Sequence, residues 1–459
     1  MSEIVNNLDS KNIIDKAITE ITSPLKKHYG LKVWVFAWVA IAAAGILAYF
    51  LQVKNGIGVT AMNDYVSWGL YISNFVFWVA TSLVGMLIGA VLGLLNIKWI
   101  TPIARIAEIV AFAFVMWAGL VIVFDMGRPD RLQNVFLYGR PQSPIVWDLT
   151  VVLTYTVISA LLLFLPMIPD MAILKNKYTD APKWQKKLFN ILSLGWIGTP
   201  EQYKTLHRAV RILLITVIPV AMAIHTVTSW LFATTLRPGW DSTIFGPYFV
   251  AGAFPAGVAM VIIAMFIFRN FFNLQNYLTE KHFNLMGKLL VLVSLVYLYF
   301  NINEYLVPGY KMKTAEGTHL EALFTGHFAP MFWAVQIFGL ILPIIVLLFK
   351  KGRKPLPLFI TGLFVVVGAY FKRYLIVVPT MLHPYLPIQG VPEEWIHYVP
   401  NGYEMLVTGL ALSGTVLTMT IISKIFPVVS ITETLEEQGI THEQLALEIN
   451  SEKISENNK

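Results

Sequence analysis

The sequence predicts an all-α polytopic membrane protein of about ten transmembrane helices, and three observations predict it. The 459 residues are 56% hydrophobic and 13% charged, whereas soluble domains run near ~45–50% apolar and ~25% charged. The excess apolar residues fall into ten blocks, each close to the ~20 residues a helix needs to cross a ~30 Å hydrocarbon core. The basic residues are distributed unevenly. If the blocks alternate in direction, 25 of the 34 Lys and Arg gather on the side that holds both termini.

In chain order, a polar stretch over residues 1–30 with scattered apolar positions is expected to form a short surface helix. The start, MSEIVNNLDS, lacks the basic and apolar regions of a secretory signal peptide, so the first span is expected to act as its own insertion signal. Spans follow near 32–53, 67–95, 102–125, 145–168, 207–236, 247–272, 284–306, 326–350, 356–382 and 402–427. The Glu-rich tail from Ser430 is expected to dangle or to form a short amphipathic helix. Because basic loops stay in the cytoplasm, both termini are expected there, in the plasma membrane. The turn at 124–148 is then expected on the outer face, periplasmic in a Gram-negative cell. Cysteine is absent, which excludes disulfides, thiolate metal sites and Fe–S ligation by this chain. There is no Walker loop. Only His225 lies well inside a span, so paired axial haem ligands are not expected, nor is any metal site.

Polar residues in and beside the spans carry the functional signal. The stretch FDMGRPDRLQNVFLYGRPQSPIVWD, Phe124–Asp148, places Asp125 and Asp148 at two helix ends. Arg128, Asp130, Arg131 and Arg140 lie between them. Ionisable groups at membrane depth are costly and commonly mark a pathway or a site. Arg131 and Arg140 read as solvated residues. Glu108 lies about two turns from the inner end of span three, and His225 beyond the middle of span five. Lys372 and Arg373 lie about 24 Å along span nine at 1.5 Å per residue, and Glu304 and Glu404 close spans seven and ten. Asn74, in the outer half of span two, also fits an ordinary interhelical hydrogen bond. Quinol oxidation releases two protons as well as two electrons, and a carboxylate or imidazole must receive the protons. Asp125 and Asp148 are the candidates, with Arg128 expected to hold one of them ionised and His225 able to hydrogen-bond the second carbonyl. Trp68, Tyr71 and Trp147 could wall a ring, or could belong to the interfacial aromatic belt.

Six segments carry a resemblance: SWGLYIS, DMGRP, SPIVWD, IHTVTSW, RPGWDSTIFGPYFVAGA and FKRYLIVVPTMLHPYLPIQG. In this order, from about Trp68 to Pro427, the chain resembles the membrane subunits of the polysulfide reductase NrfD type, relatives of the large membrane subunits of alternative complex III. The resemblance implies two four-helix bundles, at 67–236 and 237–382. Around them lie an N-terminal arm (1–31), a first span with its outer loop (32–66), a last span (383–429) and an acidic tail (430–459). It implies a cofactor-free subunit that exchanges electrons between a quinone, menaquinone or ubiquinone, and a ferredoxin-like Fe–S subunit on the outer face. A molybdopterin enzyme or a multihaem cytochrome c would belong to the same complex. It implies a quinone site near the outer face of the first bundle. Asp148 stands at the aspartate of the family's WD pair and Asp125 just before its GRP motif. In the quinol-oxidising subunit of alternative complex III that second position is histidine; here it is aspartate, as in the polysulfide-reductase branch.

Other readings stay open. Glu108 and Asp125 on one helix could mark the two ends of a proton path, with or without quinone chemistry. A transporter would tend to have broken helices at midplane, for which Pro219 and Pro255 are the only signs. A passive scaffold would tolerate conservative changes in the outer layer.

Overall fold

The computed structural model describes residues 2–25, 29–95, 97–178, 180–311, 313–386 and 388–457, with side chains described except at 2–10, 29, 86 and 451–457. No strand occurs among the described residues. Ten helices are long and apolar enough to cross a membrane: Gly30–Asn55, Leu70–Leu92, Lys98–Asp125, Pro144–Lys177, Pro200–Ala233, Phe245–Phe271, Glu280–Lys311, Ala329–Leu348, Pro355–Leu382 and Gly402–Ile425. They are spans 1 to 10 below.

Spans 2 and 6 form the centre. Their apolar stretches are 76% and 72% buried, against 11% in span 1. Spans 2 to 5 pack on one another, as do spans 6 to 9, and spans 2 and 6 join the two groups. Span 10 packs along span 1 and against span 3. Apolar side chains on the outside of span 1, such as Phe36 and Ile46, are exposed. A bilayer would cover them, because lipid is the solvent for that surface.

Local chemistry sets several helix boundaries. Thr199 and Gln202 form a reciprocal capping box that starts span 5 at Pro200, about two turns before its apolar stretch begins. Asn401 and Glu404 do the same for span 10. Each box satisfies backbone N–H groups that a helix start leaves without partners. Spans 2 and 8 contain π-helical segments, Gly85–Leu92 and Ile337–Ile341. Spans 8 and 9 meet at a glycine pair. A Cβ on Gly339 would lie 2.8 Å from the Gly368 Cα, and one on Gly368 2.4 Å from the Gly339 Cα. No side chain fits between these two backbones.

One expectation for the ends is corrected, and of the two readings of the tail the helical one holds. The N-terminal segment is a helix, Ser2–Ile21, but it is not confined to the surface: Ile14, Ile18 and Ile21 are buried, on the one face that i, i+4, i+7 spacing produces. The tail does not dangle. It folds as Ile431–Glu437 and His442–Asn457, and it buries Ile431, Leu435, Leu445 and Ile449. Asp170, in the last turns of span 4, holds it. Its carboxylate accepts from the backbone N–H of Ile431 (3.1 Å) and Thr432 (2.9 Å), from the Thr432 hydroxyl (2.6 Å) and from Arg105 Nη1 (2.5 Å). Lys177 pairs with Asp15 of the N-terminal helix and with Glu448 of the tail. Both ends of the chain therefore dock on one face, opposite the 126–144 loop.

Candidate functional site

The expected site residues fall into three neighbourhoods. The first surrounds Asp148. Span 4 starts at Pro144, so Asp148 sits one turn inside the helix, 2% exposed. Its Oδ1 accepts a 2.5 Å hydrogen bond from the Thr228 hydroxyl of span 5. His225 lies three residues earlier on span 5, hence on the same helix face, and is fully buried. Its Nδ1 bonds the Ala221 carbonyl at 3.0 Å. A carbonyl can only accept, so Nδ1 carries the proton and Nε2 presents a lone pair. That Nε2 makes no hydrogen bond of normal geometry among the described residues, and the Val79 backbone of span 2 lies within reach of the ring. A buried carboxylate on span 4 is thus bonded to Thr228 of span 5, one turn from a buried imidazole on the same helix. Thr228 is the member of this group that sequence reasoning missed. Its place in IHTVTSW, one turn after His225, was the available signal.

The second neighbourhood surrounds Asp125, at the C-terminal end of span 3. Its Oδ1 is buried without a hydrogen bond among the described residues, within electrostatic reach of Tyr71 and Glu404. The Tyr71 hydroxyl donates to Gln52 Oε1 at 2.7 Å, and Gln52 Nε2 donates to the Phe124 carbonyl at 2.8 Å. Glu404 accepts from the Tyr398 hydroxyl (2.5 Å), the Ala61 N–H (3.0 Å) and the Asn401 N–H (3.1 Å). Burial beside the Glu404 carboxylate raises the Tyr398 hydroxyl well above its ordinary value. Asn74 donates to the Thr408 hydroxyl and accepts from the Tyr370 hydroxyl. It thus ties span 2 to spans 9 and 10 by the interhelical hydrogen bonds that the sequence also allowed.

The aromatic candidates are shared out rather than gathered. Trp68 packs on Phe232 and Trp240, with ring centroids 5.5 and 5.8 Å away. Trp147 is 37% exposed, packs on Trp230 and donates to the Pro141 carbonyl. Tyr71 belongs to the Asp125 group. One expectation is corrected here: Arg128 does not hold Asp125 or Asp148. It is exposed and binds Asp130 through both Nε (3.0 Å) and Nη2 (2.8 Å), because the tight turn at Pro129–Arg131 folds the two side chains together. Asp130 is held below its usual range by Arg128, and Arg128 above its own by Asp130. Arg131 and Arg140 are exposed, as read.

The third neighbourhood lies in spans 6 to 9. Lys372 donates to the Tyr305 hydroxyl, and its ammonium stands over the rings of Tyr305, Phe332 and Tyr248. Arg373 stands over Phe249 at 5.2 Å. Glu304 accepts from Ser242 at 2.8 Å. At the opposite end of span 3, Glu108 is within reach of Arg105 and of Glu433 in the tail. Among the described residues, no group of three or more His, Asp or Glu side chains stands where it could hold a metal ion.

Ten helices long and apolar enough to cross a membrane, among the described residues, with buried acid and base groups between them, define a multi-pass integral membrane protein. The chain belongs to the family described as polysulphide reductase, NrfD, which it matches over residues 58–384. It is 27% identical to a selenate reductase subunit of Mesobacillus selenatarsenatis, over 75% of this chain and 81% of that one. It is 23% identical to the Hdr-like menaquinol oxidoreductase integral membrane subunit of Archaeoglobus fulgidus (84% and 91%). It is 22% identical to the menaquinone reductase integral membrane subunit of Nitratidesulfovibrio vulgaris (86% and 89%).

Proposed function

We propose that this chain is the integral membrane subunit of a respiratory oxidoreductase, and that it exchanges electrons between a menaquinone-type quinone and an Fe–S partner subunit on the outer face. The buried Asp148–Thr228 pair, with the buried His225 one turn away on span 5, is the observation that carries this reading. The names of two relatives, a menaquinol oxidoreductase and a menaquinone reductase, support the substrate class. The name of a third, one subunit among those of a selenate reductase, supports separate catalytic subunits. By the family resemblance these are a ferredoxin-like Fe–S protein with a molybdopterin enzyme or multihaem cytochrome.

The reaction divides cleanly between chain and partner. Oxidation of one quinol gives one quinone, two electrons and two protons. Asp148 accepts one hydroxyl proton and His225 Nε2 the other. The two electrons pass to the proposed Fe–S partner. Quinone reduction runs the same transfers backwards. Burial sharpens the acid–base role, because a carboxylate away from water changes its proton affinity with its neighbours. A second reading is compatible with the first. Glu108 and Asp125 lie 17 residues apart on span 3, about 25 Å at 1.5 Å per residue, each beside a second carboxylate, Glu433 and Glu404. This pair marks two ends of a proton path coupled to the quinone reaction.

Asp148→Asn tests the first reading. It keeps the shape and the acceptor for Thr228 and removes the proton-accepting charge. Quinol-analogue oxidation or quinone reduction by the assembled complex, normalised to Fe–S content, is expected to fall roughly 10²–10⁴-fold, with assembly unchanged. Arg131→Gln and Arg140→Gln serve as controls. Wild-type turnover in Asp148→Asn removes this residue from the mechanism.

A further inference from the structure

We infer that Arg373 forms, with Gln336, a buried binding site for a single small anion of the halide class, chloride being the abundant one. Arg373 sits in the interior of span 9, 1% exposed. Its Nε and Nη2 are buried and have no hydrogen-bond partner among the described residues. No salt bridge to Arg373 occurs among the described residues, although a guanidinium away from water stays charged and needs a counter-charge. The neighbouring cation does not share this need: Lys372 donates to Tyr305 and is attracted by Glu304. Arg373 is therefore the uncompensated charge of the pair.

Arg373 borders a cavity of about 20 Å³ that is also lined by Gln336, Gly252, Gly339 and Gly368. Gln336 Oε1 accepts from Asn301 at 2.8 Å, and this directs the amide nitrogen elsewhere. Gln336 Nε2 is buried and unpartnered among the described residues. The unpartnered groups at this cavity, Arg373 Nε and Nη2 and Gln336 Nε2, are donors. Donors without acceptors select an acceptor-only, negatively charged guest. The volume selects its size: a site needs ~10–15 Å³ to hold one water, so a carboxylate or a phosphate is too large. The glycines make the space. A Cβ on Gly252 would lie 3.1 Å from Arg373 Nη2, and Gly339 and Gly368 meet backbone to backbone. Gln336 immediately precedes the π-helical segment Ile337–Ile341, an irregularity frequent where a helix serves a site.

Two measurements on the purified full chain test this. Crystals grown in bromide should show an anomalous peak in the cavity, within hydrogen-bond distance of Arg373. Exchanging gluconate for chloride at constant ionic strength should raise the unfolding midpoint, since a guest that binds only the native state stabilises it. The rise should saturate, should be lost in Gln336→Leu and Arg373→Gln, and should persist in the surface variant Lys313→Gln. A wild-type cavity without a bromide peak, or one holding water only, overturns the inference. So does a chloride response of equal size in all variants. The bromide measurement needs no substitution, so a variant that fails to fold leaves the result decisive.

Discussion

Asp125 and Asp148 look equivalent in the sequence, two aspartates at two helix ends, yet the fold gives them different company. Asp148 faces the Thr228 hydroxyl of span 5; Asp125 faces Tyr71 and Glu404 of spans 2 and 10. Sequence could name both because each stands beside an apolar run. It could not separate them, because the distinction comes from which spans lie alongside. Arg128 shows the same limit: closeness in sequence suggested a partner that the turn at Pro129 redirects to Asp130. His319 falls between spans 7 and 8, where hydropathy gives no signal. It lies in the short helix Thr314–Phe324, is buried, and touches Gly239, whose φ is +83°. A Cβ there would come within 2.7 Å of His319 Nε2. Burial and the neighbouring His383 lower His319 to about 3. In the unfolded chain it titrates near ~6.5. Between these values the unfolded state binds the proton and the native state does not, so stability is present above ~6.5 and is lost as pH falls. The slope is about 1.4 kcal/mol per unit. We expect the melting midpoint of His319→Gln to fall less between pH 7 and pH 5 than that of the wild type. Parallel pH profiles would refute the buried neutral imidazole.

At the scale of elements, ten spans were legible because hydropathy reads the lipid-facing and core residues that every membrane helix must have. Helix boundaries beyond the bilayer were not. Span 5 begins at Pro200 because Thr199 and Gln202 cap it, a Thr-x-x-Gln spacing visible in the sequence but lying in a polar stretch that hydropathy ignores. Span 4 runs on through a tight turn at Leu165–Met167, where Pro166 and Pro169 read as a stop. That continuation carries Asp170, and with it the anchor of the tail. Arg105 is 3% exposed and its partner Asp170 is fully buried. Removing one partner of such a pair leaves a buried charge uncompensated, typically at a cost of ~3–5 kcal/mol. It also strips the first turn of the tail of its acceptor. We expect Asp170→Ala to release the tail, read as faster proteolysis within 430–457 in detergent. A conservative Asp170→Glu that fits would restore part of the protection. Proteolysis of Asp170→Ala at the wild-type rate would mean that the buried Ile431, Leu435, Leu445 and Ile449 hold the tail without it.

At the scale of the whole molecule, orientation follows from charge rather than from packing. The fold places the N-terminal helix, the tail and Lys177 together on one face and the 126–144 loop on the other, but nothing in helix packing says which face meets the cytoplasm. The positive-inside rule favours one orientation, because translocating Lys and Arg across a bilayer is disfavoured. The face holding the termini carries 25 of the 34 basic residues, so we propose that both termini are cytoplasmic. The loops 54–66, 126–144, 237–246, 307–325 and 383–401 then face outward. This matters for function, because the Asp148 neighbourhood lies near the 126–144 face and an electron partner must dock within reach of it. The chain has no cysteine, so single cysteines report without background. Exposed positions suit the purpose: Tyr138, Tyr310 and Val399 on the proposed outer face, and Trp184 on the other. In intact spheroplasts an impermeant thiol reagent should label Tyr138→Cys, Tyr310→Cys and Val399→Cys, and should label Trp184→Cys only after lysis. Labelling of Trp184→Cys in intact cells, with the other three protected, would invert the protein in the membrane. It would move the proposed electron partner to the cytoplasmic side while leaving the chemistry at Asp148 and His225 unchanged.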